Sequence, residues 1–144
     1  MNEKQPTVNS IIYARIPTPP RGFEDDRWDH QVDSCEDYAT RHGFTVVDVM
    51  QDYGSHLDHL GRAFGYIAKH ARHYEATKLV VLNYDALVRG DSFRLYWLLW
   101  SLEHHHGLQV VPVVGKAITR ETDPCYAALA VFFDEVARKQ NAHE

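Results

Sequence analysis

Arg15 closes an apolar run, Ile11-Ile12-Tyr13-Ala14, just ahead of Ile16 and the stiff segment Pro17-Thr18-Pro19-Pro20. A guanidinium in such a place can grip a phosphate or carboxylate through paired N–H donors. Two further apolar runs also end in charged segments, Asp52-Tyr53-Gly54-Ser55 and Asn83-Tyr84-Asp85-Ala86-Leu87-Val88-Arg89. If the three runs are parallel strands, these segments meet at their carboxyl ends, where open α/β sheets hold ligands. Anion binding is the chemistry this points to. The ten histidines raise a second chemistry, metal binding. His104-His105-His106 precede Gly107 at a helix end, where cations favour the helix dipole. His70 and His73 are three apart on a helix, and His56 and His59 flank a loop. None has the Cys or carboxylate spacing of a known site, so capping or solvated histidines are expected, with no metal and no cofactor. Cys35 and Cys125 lack C-x-x-C spacing and read as two reduced thiols.

The elements that must position these groups follow from the periodicity. Ile11 and Ile12 begin a buried strand, which Pro17 to Pro20 must end because proline offers no N–H to a ladder. Residues 29–42 read as a helix, with Val32, Cys35, Tyr38 and Ala39 on one face and Gly43 as its stop. Phe44 to Met50, rich in β-branched residues, is a second strand. A polar loop to Gly61 and a helix from Arg62 to Tyr74 come next. Lys78 to Leu82 is the most continuous apolar run, as in a strand buried on both faces. Ser92 to His105 is a helix apolar around more of its circumference than one core contact requires, which leaves a buried internal helix and a subunit contact both open. Leu108 to Val114 is a fourth strand. The last helix, Asp123 to Lys139, starts with an aspartate cap and a proline at its first position. Strand and helix alternate, so the expected fold is α/β, three-layered, with a mostly parallel sheet of four to five strands.

Composition limits what such a fold can do. At 144 residues, 44% of them apolar, the chain has enough length for one core and too little for two ordinary domains. One domain over 1–144 is expected, with 1–7 as a flexible tail. No apolar stretch approaches the roughly 20 residues of a membrane span, and the amino terminus lacks the apolar core of a signal peptide, so a cytoplasmic protein is expected. A net charge of −5 argues against holding DNA by overall electrostatics, though a local basic cleft is compatible with it. The acidic group Glu24-Asp25-Asp26 reads as a solvated loop.

Tyr13-Ala14-Arg15-Ile16, Gln31, Asp52-Tyr53-Gly54-Ser55, Arg62 and Asp85-Ala86-Leu87-Val88-Arg89 come in an order and spacing that resembles the catalytic domain of the serine recombinases, the resolvase and invertase family. The resemblance spans Val8 to Lys139. It implies a resolvase-like fold whose C-terminal helix dimerises, a serine that attacks a DNA phosphodiester and joins the 5′ phosphate, and arginines that stabilise the transferring group. Matched residue by residue, Arg15 and Arg89 stand for two of those arginines. Asp52 and Asp85 stand for acids that help hold them, Gln31 for a glutamine of the first helix, and Arg62 for an arginine of the mobile loop. Arg138 stands for an arginine of the last helix. The family's serine falls at Pro17, which has no nucleophile, and the first arginine of its Asp-Arg-Leu-x-Arg segment falls at Ala86.

Thr18 matches the threonine that follows the nucleophile. As the next residue of an extended segment it should point away from Pro17, and Pro19 holds it extended. Ser55 matches a loop position not used for attack and reads as a turn residue. The first loop is longer than is common in the small resolvases. The resemblance therefore implies a domain without DNA cleavage or strand exchange, not an enzyme, whose anion- or DNA-binding residues are Arg15, Gln31, Arg62, Arg89 and Arg138. It implies a homodimer through Tyr126, Leu129, Ala130, Phe133 and Val136, working as a regulatory or interaction module with another recombinase or DNA-bound protein, with weak or indirect DNA binding. The chain ends at Glu144, so the family's following DNA-binding module is expected to be absent. The alternative is a non-cleaving DNA- or phosphate-binding domain. The third reading, an active strand-transferase using Thr18, is placed last.

Overall fold

The computed structural model describes residues 7–22, 25–54 and 56–142, with the side chains of 56–62 and 142 outside the description. The tail expected over 1–7 therefore lies outside it apart from Thr7, as do Glu24 and Ser55. The elements are β1 (Val8–Ile16), α1 (Asp26–Arg41), β2 (Phe44–Tyr53), α2 (His56–His73), β3 (Lys78–Val81), a short 3-10 turn (Tyr84–Ala86), α3 (Ser92–His106), β4 (Gln109–Pro112) and α4 (Pro124–Ala142). All three strand pairings are parallel, in the order β2-β1-β3-β4. The sheet thus has four strands, all parallel.

Alternation along β1 builds two cores. Ile11 and Tyr13 join Met50, Leu79, Val81 and Leu98 on the side of α2 and α3, while Ile12, Ala14 and Ile16 face α1 with Cys35 and Trp28. This gives three layers, with α4 packed on α3. From β1 the chain goes first to one flank of the sheet and then to the other, so the carboxyl ends of β1 and β3 form the switch point of the topology, where such sheets open a crevice.

Several element limits differ from the sequence expectation. The first helix starts at Asp26 rather than Asp29 because Asp25, expected as solvated loop, is buried and caps it: its carboxylate accepts from Arg27 N and its carbonyl from Trp28 N and Asp29 N. β2 runs on to Tyr53 because β1 continues beside it to Ile16. The second helix begins at His56, so the expected loop to Gly61 is helical backbone. Asp123 caps α4 as expected, accepting from Tyr126 N at 3.0 Å. Both cysteines are free thiols, and burial pushes that of Cys35 up to about 12. Among the described residues no helix is long and apolar enough to cross a membrane.

The face of α4 expected to meet a partner is largely covered by its own chain. Tyr126, Ala130 and Phe133 are buried in the main core and Leu129 packs against it, because α3 lies over them. Of the expected dimer residues only Val136 is exposed, at 39%, beside Val131 and Phe132 on the other side of the helix.

Candidate functional site

A cleft of about 400 Å³ opens at the switch point, lined by Arg15 and Pro17 after β1, Gly54 after β2, Gln31 of α1, and Asn83, Ala86 and Arg89 after β3. Its geometry is set by Arg15. The guanidinium donates to three main-chain carbonyls: Nε to Ala86 (2.8 Å), Nη1 to Gly54 (2.8 Å) and Nη2 to Asp85 (2.6 Å). Three of the five N–H groups of an arginine are thereby engaged within the chain. The Arg15 main chain is held as well. Beyond the last residue of β3 its N–H and C=O have no strand to pair with, and the Gln31 amide takes that place, accepting at 3.2 Å and donating at 2.9 Å.

These contacts correct the expected roles of the acids. The Asp52 carboxylate accepts from the Tyr13 hydroxyl (2.9 Å) and from Tyr53 N (2.8 Å), and among the described residues it pairs with no arginine. Asp85 holds Arg15 through its carbonyl, its carboxylate being exposed. Gln31 lines the cleft, yet its amide is occupied by backbone. Arg138 lies away from the cleft on α4, 3.9 Å from Glu135 across one helical turn. The side chain of Arg62 lies outside the described residues. Arg89 is exposed at the cleft, without a hydrogen bond or ion pair among the described residues.

Pro17 lines the cleft and Thr18 does not. The Thr18 hydroxyl instead accepts from Arg27 Nη1 at 2.6 Å, and Arg27 Nη2 also donates to the Pro19 carbonyl. Arg27 grips both oxygens of Asp25, at 3.0 and 2.7 Å, while Arg21 N donates to the same carboxylate. The Arg27 hydrogen bond holds the Asp25 carboxyl well below the ordinary carboxylate range, with the Arg21 amide adding to it. The loop after β1 is thus fastened to the start of α1. Trp28, which sequence reasoning left out, joins the assembly by donating from Nε1 to the Asp52 carbonyl at 2.8 Å. Its position three residues before Gln31 puts both on one face of α1, a signal present in the sequence. No group of three His, Cys, Asp or Glu side chains able to hold a metal occurs among the described residues.

A family model described as "Resolvase, N terminal domain" matches residues 10–143. The chain belongs to the resolvase family. Among solved structures, this resolvase domain is similar to the N-terminal catalytic domain of TP901-1 integrase, with a TM-score of 0.65 and 18% identity over 92% of this chain and 98% of that one. It is also similar to the C-terminal catalytic domain of ISC1926 TnpA, an IS607-like serine recombinase, with a TM-score of 0.58 and 22% identity over 76% and 72%. A serine recombinase from Sulfolobus solfataricus gives a TM-score of 0.52 and 20% identity over 93% and 88%. At these identities the likeness is one of fold. No match is found among the curated proteins.

Proposed function

We propose that this resolvase-family domain has lost DNA cleavage and strand exchange and works as a homodimeric interaction or regulatory module beside a recombinase or another DNA-bound protein. The observation that carries the reading is the occupant of the cleft: Pro17, with no hydroxyl, stands at the matched nucleophile position, while the neighbouring Thr18 hydroxyl is bound to Arg27. Arg15, which would have to meet a phosphate, is engaged by three carbonyls, and Ala86 supplies one of those carbonyls where the family has an arginine. Losing a nucleophile or a charge-stabilising donor lowers a rate by orders of magnitude each. For the dimer, support comes from exposed apolar rings that surround buried Phe133: Phe93 at 5.8 Å and Phe132 at 5.9 Å between ring centroids, with Trp97 nearby on α3. Sedimentation velocity tests this part. A dimer at micromolar concentration that dissociates in Phe132→Asp is expected; a wild-type monomer contradicts it.

A second reading rests on Arg89. It lines the cleft with no partner among the described residues, and with the two remaining N–H groups of Arg15 it makes an anion pocket without cutting. Oligonucleotide or phosphate binding lost in Arg89→Ala, with oligomerisation unchanged, supports this reading over the first.

A further inference from the structure

A second depression, about 730 Å³, lies on the outer flank of α2 beside the end of α3, remote from the cleft. Its floor is Gly65 and Ala68, and one wall is Phe64 against His106, edge to face at 5.7 Å. Gly65 sits inside a helix, where glycine is less stable than alanine. Its φ is not positive, and a Cβ added there meets nothing within 4 Å. Nothing within the described chain therefore calls for a glycine; the missing side chain has the effect of deepening the trough. Lys69, Arg72 and His73 form one rim and are exposed, sharing one side of the helix. Lys69 and Arg72 have no ion pair or side-chain hydrogen bond among the described residues, in a chain of net charge −5. His70 also lines the depression, and its ring is taken up by the Asp48 carboxylate.

We propose that this trough receives an acidic amphipathic helix of a partner protein, its apolar side chains on Gly65 and Ala68 and its carboxylates opposite Lys69 and Arg72. An apolar floor with a cationic rim is complementary to such a helix on both counts, whereas a nucleic-acid backbone would gain little from the floor. The probe is a fluorescein-labelled model peptide of roughly 16 residues, leucines at helical spacing and glutamates elsewhere, compared with its lysine counterpart and with a labelled DNA duplex. Saturable binding of the acidic peptide alone is expected, with backbone amide shifts confined to residues 64–74 and 106. Lys69→Glu with Arg72→Glu, and separately Gly65→Leu, should each weaken it about tenfold or more, a difference of about 1.4 kcal/mol. Leucine is the better helix former, so circular dichroism of Gly65→Leu should be unchanged and loss of fold is not the cause. No binding, shifts elsewhere, tighter binding of the duplex through the same residues, or self-association of the protein through this face each overturns the proposal.

Discussion

Arg15 makes five hydrogen bonds that tie β1 to α1, to Gly54 and to the 84–86 turn. A hydrogen bond to a charged group contributes about 1.5–3 kcal/mol, and an orphaned carbonyl adds a penalty where it is buried. Arg15 is only half-buried, so Arg15→Met should lower unfolding free energy by about 2–3 kcal/mol, read as a lower urea midpoint. If the guanidinium served only an anion, stability would stay unchanged and phosphate binding would vanish. The other fastening is acid-sensitive. The folded pKa of Asp25 lies below its ordinary 3.8, so the stability it contributes is complete above about pH 5 and is lost as pH falls toward the folded value. Asp25→Asn should therefore flatten the acid limb of the stability curve; a limb as steep as in wild type would place the titration elsewhere. Neither fastening was legible beforehand, for physical reasons. Every residue carries a carbonyl, so an arginine that binds carbonyls leaves no mark in side-chain spacing, and Asp25 could not be told from its acidic neighbours Glu24 and Asp26.

At the scale of elements the sequence was most readable where burial is two-sided. Lys78 to Val81 is such a strand, and only its last residue was overextended. The ends of β1 and β2 were harder, because pairing between them, not local composition, carries β2 on to Tyr53. The start of α2 was hidden by a polar stretch containing Gly61, whose helical state local propensity disfavours. Among the described strands β2 is also an edge of the sheet. Since Gly54 N donates to Ile16 O, the even-numbered residues at this end pair with β1, and Val49, Gln51 and Tyr53 point outward. Two of those outward N–H groups are closed by neighbouring carboxylates, Val49 by Asp48 and Tyr53 by Asp52, which leaves a poor template for edge-to-edge pairing. Asp48→Ala with Asp52→Ala should raise aggregation measured by light scattering; unchanged scattering means the edge is covered some other way. In α2, Gly65→Ala should stabilise the fold by about 0.5–1 kcal/mol, since the space beside it is open.

Across the whole molecule, α3 mediates between the sheet and α4 and covers the face of α4 that periodicity had offered to a partner. Periodicity identifies an apolar face and cannot say whether the same chain or another covers it. What α3 and α4 leave open are aromatic side chains, Trp97 at 41% and Phe132 at 56% exposure, around an otherwise closed core. Phe133→Ala should cost about 3–5 kcal/mol as a core truncation, read in chemical denaturation, whereas Phe132→Asp should leave the fold and alter only association. The fold and family were legible in the order of Arg15, Gln31, Asp52 and Arg89; the closure of the site was not, because it lies in the Arg27 and carbonyl contacts. Loss of cleavage is tested most directly by incubating the protein with 5′-labelled duplex DNA and resolving covalent complexes under denaturing conditions. No adduct is expected, from wild type or Thr18→Ala alike. A 5′-linked protein–DNA adduct in wild type that disappears in Thr18→Ala would contradict the loss of cleavage and assign attack to the Thr18 hydroxyl.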